Sequence, residues 1–143
     1  MAETRTDPYA AWGKHKRNLL TRTSFRSKAM KERRLVPPDK HFPFAPVIKL
    51  GDCQLNKAEV FLVSDGRFYW QAASVQSRGS HGDVWVVYWL NLLDHNGVTL
   101  YQVPQFDGPT MDVPNKQYRW LYETYYPAQL YPYVVHLHMD CHC

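Results

Sequence analysis

The run Val84-Trp85-Val86-Val87-Tyr88-Trp89-Leu90 constrains the fold more than any other stretch of this chain. It carries no charge and is built from β-branched and aromatic side chains, the composition of a strand covered on both faces rather than of a solvated hairpin. A chain of 143 residues has room for one domain plus an arm or tail. Its 5 Trp and 10 Tyr are side chains that bury large areas in cores and at interfaces.

Turn chemistry divides the remainder. Residues 58–63 and 67–71 flank Ser64-Asp65-Gly66-Arg67, and an Asp-Gly pair tolerates positive φ at both central positions, so a hairpin is predicted there. Residues 47–50 read as a short strand, Asp94-His95-Asn96-Gly97 as a second turn, and residues 98–103 as a further strand. Pro114 suits the first turn of a helix, and Tyr118, Leu121 and Tyr122 follow at i, i+3 and i+4, which predicts a short helix near 114–122. Residues 133–139 read as a C-terminal strand. The fold class expected is mostly β, a small antiparallel meander of about four strands with one short helix. A basic N-terminal arm and a Pro-rich extended linker over 1–46 flank this body, which spans 47–143.

The charge is segregated. Residues 1–40 carry a net +7 and residues 41–143 a net −3, giving the overall +4. A basic arm on a slightly acidic body is suited to nucleic acid, anionic lipid or an acidic protein groove. Arg22, Arg26, Arg33 and Arg34 are the expected arm contacts. One reading makes them phosphate ligands of an RNA-contacting subunit of an organellar ribosome; the acidic body favours a protein partner instead.

Cys53, Cys141 and Cys143 form an odd set, which argues against a disulfide framework and for a reducing compartment. No run approaches the roughly 18 apolar residues of a spanning helix, so no transmembrane segment is expected. The N-terminus lacks the apolar block of a secretory signal, and Glu3 and Asp7 count against a mitochondrial targeting peptide.

Chemistry concentrates at the C-terminus. On a strand, His136 and His138 share a face, and with Cys141 and Cys143 they form a candidate zinc site, the one cofactor the sequence suggests. The alternative is an edge strand with solvent-facing histidines, since Cys-x-Cys lacks the usual ligand spacing. No phosphate loop or nucleophile elbow is present: Gly79-Ser80-His81-Gly82 lacks both patterns, and Ser80 and His81 point apart on an extended chain. No catalytic residue is expected, and the chain reads as a non-enzyme without a small-molecule substrate.

A family resemblance rests on the order Leu62-Val63-Ser64-Asp65-Gly66-Arg67-Phe68-Tyr69, Trp85-Val86-Val87-Tyr88, Asp107-Gly108, Val113-Pro114 and Arg119-Trp120-Leu121. This series, over about residues 59–122, resembles the small accessory-subunit family of mitochondrial NADH:ubiquinone oxidoreductase (complex I) that includes the assembly factor mimitin. Asn115, Lys116, Gln117, Tyr118 and Tyr122 depart from that family's pattern. The resemblance implies a non-catalytic structural subunit, peripheral on the matrix side of the inner membrane and packed against iron–sulfur core subunits. Trp85, Tyr88, Trp89, Arg119 and Trp120 are the body residues expected to touch those partners.

Overall fold

The computed structural model describes residues 22–29 and 39–143. Alternation of apolar and polar side chains, the period that gives a strand one buried face, runs through most of this length. In chain order the strands are β1 (Arg22–Lys28), β2 (Lys40–Pro43), β3 (Val47–Leu50), β4 (Cys53–Leu62), β5 (Arg67–Ser77), β6 (Val86–Leu93), β7 (Thr99–Val103), β8 (Phe106–Asp107), β9 (Tyr118–Tyr125) and β10 (His136–His142). A 3-10 turn over Ala128–Tyr133 joins the last two.

The strands form two antiparallel five-stranded sheets. The first has the order β1-β10-β6-β7, with β8 also paired to β6. The second has the order β2-β4-β5-β9, with β3 also paired to β4. Their inner faces share one core, in which Val60, Leu62, Phe68 and Trp70 of the second sheet join Leu90, Leu92, Leu137 and Met139 of the first. Phe106 is the aromatic bridge: its ring lies 5.4 Å from Trp70 and 5.9 Å from Trp120, and stacks on Tyr122 at 4.4 Å. Contacts of this kind add about 0.5–1.5 kcal/mol each beyond the burial of area.

The Asp65–Gly66 hairpin forms as its sequence requires. Gly66 sits at φ +101 and accepts no side chain, because a Cβ there would lie 3.0 Å from the Tyr126 carbonyl oxygen. Tyr126 locks the turn from outside, its hydroxyl donating to the Val63 carbonyl at 2.6 Å. Lys40 is buried at the start of β2, where its ammonium donates to the carbonyls of Tyr131 and Val134 and stands 4.7 Å over the Tyr131 ring. A buried cation needs such partners to offset its lost hydration.

Several expectations are corrected. The expected class, mostly β and antiparallel, is the one observed; within it the strands make two sheets rather than a meander of about four, and β1 and β2, inside the segment read as arm and linker, are sheet members. The segment read as a helix near 114–122 is a turn followed by β9, in which Trp120 points inward while Arg119 and Leu121 point out. Pairing with β5 sets a period of two, and this overrides the i, i+3, i+4 coincidence of Tyr118, Leu121 and Tyr122. The C-terminal strand is no edge: β10 lies between β1 and β6, and His136 and His138 are buried. The three cysteines are not all thiols, for Cys53 and Cys143 are disulfide-bonded and Cys141 is free and buried.

Candidate functional site

Over the half of the second sheet nearer the Asp65–Gly66 turn, the outer face is built from odd-numbered positions of β4, β5 and β9. Register places Phe61 of β4 opposite Tyr69 of β5, and Tyr69 opposite Glu123 of β9. One step along, Glu59 stands opposite Gln71, and Gln71 opposite Leu121. Each of these side chains points away from the core because its even-numbered neighbours, such as Val60, Trp70 and Tyr122, are turned toward it.

These residues form a polar network on an aromatic floor. His41 of β2 stacks on Phe61, with ring centroids 4.5 Å apart, and its Nε2–H donates to Glu59 Oε1 at 2.6 Å. The other oxygen of Glu59 accepts from Gln71 Nε2 at 2.7 Å, so both oxygens of this carboxylate are occupied. Arg67 donates to the Tyr69 hydroxyl at 2.8 Å while its Nε pairs with Asp65 at 2.9 Å, so its charge is matched at the rim.

Beside this network lies a groove of about 650 Å³, within the range of ligand sites. Phe61, Tyr69 and Leu121 line it, and the carboxylates of Asp39 and Glu123 border it. Neither Asp39 nor Glu123 pairs with a cation among the described residues. The groove is thus apolar in its floor and negative at its border, a combination that attracts a cation by charge and by the electron-rich faces of the rings. A His–carboxylate pair resembles the orienting half of a general base, but no hydroxyl or thiol is hydrogen-bonded to His41 among the described residues.

The outer face of the first sheet carries a different group. Asn91 of β6 stands opposite His138 of β10, which stands opposite Arg26 of β1. His136, His138, Asp140 and Asn91 are buried, and the Asn91 amide and His136 Nε2 have no hydrogen-bond partner among the described residues. The expected metal ligands are not gathered there. Cys141 faces the core, on the side of the sheet opposite His136 and His138, and Cys143 is committed to Cys53. Among the described residues no group of three or more His, Cys, Asp or Glu is placed to hold a metal ion.

The expected partner contacts divide in the same way. Trp85 and Trp120 are core residues, Trp85 fully buried with its indole N–H donating to the Gln54 carbonyl at 3.3 Å. They present nothing to a partner. Tyr88 and Trp89 are half-buried, and Tyr88 is stacked on His142 at 4.7 Å. Arg119 is exposed on β9 and Arg26 on β1. Arg22 opens β1, while Arg33 and Arg34 lie outside the described residues.

The model of a family described as "Family of unknown function (DUF6294)" matches residues 59–143 of this chain. The chain belongs to DUF6294. No curated protein matches the chain, and no solved structure does. The DUF6294 match begins within β4 at Glu59 and runs through β10 to Cys143, so it takes in the groove residues Phe61, Tyr69, Leu121 and Glu123 and leaves out Asp39. No helix of the described residues is long and apolar enough to cross a membrane.

Proposed function

We propose that this protein is a non-catalytic interaction subunit that docks a cationic segment of a protein partner in the groove on the outer face of its second sheet. One observation carries the reading: two carboxylates without a counter-ion among the described residues, Asp39 and Glu123, border an aromatic-floored groove. An arginine or lysine entering there meets two carboxylates and the aromatic side chains of Phe61 and Tyr69. The His41–Glu59–Gln71 network holds the adjoining wall in one conformation, which lowers the entropy lost on docking.

The reading keeps the accessory, assembly-building role that the sequence resemblance implies. For its address we propose an oxidising compartment rather than the matrix, because a disulfide between Cys53 and Cys143 persists where thiols are not continually reduced. Alkylation of thiols in intact cells before lysis tests the address: Cys53 and Cys143 should be protected, and their full alkylation would refute it.

The docking reading is tested with defined probes on the full chain. A fluorescent tetra-arginine peptide should bind saturably and weaken with added salt, while a tetra-glutamate peptide should not bind. Asp39→Lys should weaken the arginine peptide by about fivefold or more, the effect of replacing an attraction by a repulsion at a surface site. Equal binding of both peptides, or unchanged affinity in Asp39→Lys, would overturn the reading.

A further inference from the structure

The outermost strand of the second sheet, β9, pairs with β5 on one side and with no other strand among the described residues. An eight-residue edge with unpaired backbone groups is a template for another strand. Natural sheets blunt such edges with charge. Here the outward-facing residues are Arg119, Leu121, Glu123 and Tyr125, with Leu121 59% and Tyr125 65% exposed. The charges are opposite in sign, and they lie two residues to either side of an exposed leucine.

That arrangement is self-complementary. If two copies of β9 run antiparallel with Leu121 on the two-fold axis, Arg119 of each copy falls opposite Glu123 of the other. Tyr118 then stands opposite Thr124, and Trp120 opposite Tyr122. All these pairs join positions of like parity, so outward side chains meet outward side chains and inward meet inward. Whichever set of backbone groups faces the free edge, they find their partners in this register. Within one copy Arg119 and Glu123 are four residues apart, about 13 Å along an extended strand, too far to satisfy each other. Neither forms an ion pair among the described residues.

The other edges do not have this property. Self-pairing of β1 about Phe25 would set Arg22 against Lys28, like charge against like. β7 carries no charge at all, and β2 ends at Pro43, which has no N–H to give a ladder. β3 and β8 carry one charge each, Lys49 and Asp107, so among the described edges β9 alone fixes the register of a self-pairing by opposite charges.

We infer that the protein forms a symmetric dimer through antiparallel pairing of β9 with β9 of a second copy, held in register by two reciprocal Arg119–Glu123 pairs around Leu121. The two second sheets become one continuous ten-stranded sheet, and the outer groove of each copy opens onto the other across Leu121. The inference uses the strand edge and the docking reading the groove beside it; Leu121 and Glu123 are the residues they share, so in the dimer Glu123 is paired with Arg119 and Asp39 carries the attraction for a docked cation. Asp39→Lys should weaken peptide docking as above and leave the dimer intact, so the two fail separately.

Sedimentation equilibrium of the full chain tests the dimer through charge reversal. The unmodified protein should associate reversibly to a dimer. Arg119→Glu and Glu123→Arg should each raise the dissociation constant by about tenfold or more, because each sets like charges opposite one another twice. The double variant R119E/E123R should recover the original constant. An equimolar mixture of the two single variants should form a heterodimer, since one presents only acids and the other only arginines at these positions. Near-ultraviolet circular dichroism verifies that each exposed-site variant keeps the native packing. A monomer at all concentrations, dimerisation unaffected by Arg119→Glu, or failure of the double variant to recover in a natively packed state would overturn the inference.

Discussion

The covalent link between the sheets is the feature whose removal has the most calculable effect. Cys53 opens β4 in the second sheet, and Cys143 follows β10 of the first, at a sequence separation of 90. Closing a loop of that size lowers the entropy of the unfolded chain by an amount that corresponds to about 4.6 kcal/mol at 25 °C in the chain-entropy model. At about 2.1 cal/mol/K of unfolding entropy per residue, a domain of this size should lose on the order of 15 °C in melting temperature when the bond is cut. Thermal unfolding followed by circular dichroism, with and without a phosphine reductant, measures this directly. The Cys53→Ala/Cys143→Ala variant should reproduce the reduced midpoint, because in both the constraint on the unfolded chain is gone. Thiol titration in denaturant should find one reactive group before reduction, Cys141, and three after it. Midpoints that agree within about 3 °C, roughly 1 kcal/mol, would refute the entropic argument. Three thiols before reduction would refute the bond itself.

Trp120→Ala should cost about 3–5 kcal/mol in urea unfolding, since it removes the ring packed against both Trp70 and Phe106, whereas Arg119→Ala, one position away, should change stability by less than about 0.5 kcal/mol. Equal effects would contradict the inward–outward alternation of β9. Lys40→Met should cost about 1–3 kcal/mol in the same assay, because the Tyr131 and Val134 carbonyls are left without their donor; a stabilised variant would refute that accounting. Burial pushes the Tyr126 hydroxyl well above its ordinary value of 10.0, with Tyr131, Asp65 and Asp39 adding in the same direction. The unfolded chain therefore loses this proton first, and stability that is complete below about pH 10 should fall as pH rises beyond it. Tyr126→Phe should cost about 1 kcal/mol at neutral pH and flatten that alkaline decline; parallel pH profiles of the two proteins would sink the assignment. Buried Cys141 contributes a decline of the same sign beginning near its own ordinary value of 9.0, which is why the difference between the two profiles is the quantity to read.

The strands with strong local signals were legible in the sequence. Asp65-Gly66 announces the β4–β5 hairpin, and the charge-free run from Val84 announces β6, because turn sterics and burial on both faces act on adjacent residues. The division into two sheets was not legible, since it depends on which distant strands pair. β10 joins β6 and β1 over separations that no local pattern encodes, and this pairing buries His136 and His138, which in isolation read as solvent-facing or metal-binding. β9 failed for a related reason. Its eight residues contain an inward Trp120 between outward Arg119 and Leu121, but the three apolar residues Trp120, Leu121 and Tyr122 in a row mask that alternation. Pairing with β5 decides the period.

The same physics explains why the candidate site was missed while one of its neighbours was found. Asp39, Phe61, Tyr69, Leu121 and Glu123 come from separate stretches of the chain and meet only through the register of β4, β5 and β9. A signal for them existed. Phe61 and Tyr69 are aromatic residues at positions of β4 and β5 whose flanking residues, Val60 and Leu62 or Phe68 and Trp70, already fill the buried face. An aromatic residue placed where alternation demands the solvent side is more informative than one in a continuous apolar run. That criterion passes over Trp85 and Trp120, both core, and selects the pair flooring the groove. Arg119 was singled out beside Trp120 by family resemblance, and its exposure on β9 has a separate cause, the alternation that sends its neighbour into the core. Charge counts along the chain saw only an acidic body. It is the partner of each carboxylate that gives the surface its direction: Asp65 is paired with Arg67 and Glu59 is hydrogen-bonded to His41 and Gln71, which leaves Asp39 and Glu123 at the groove to act on whatever approaches it.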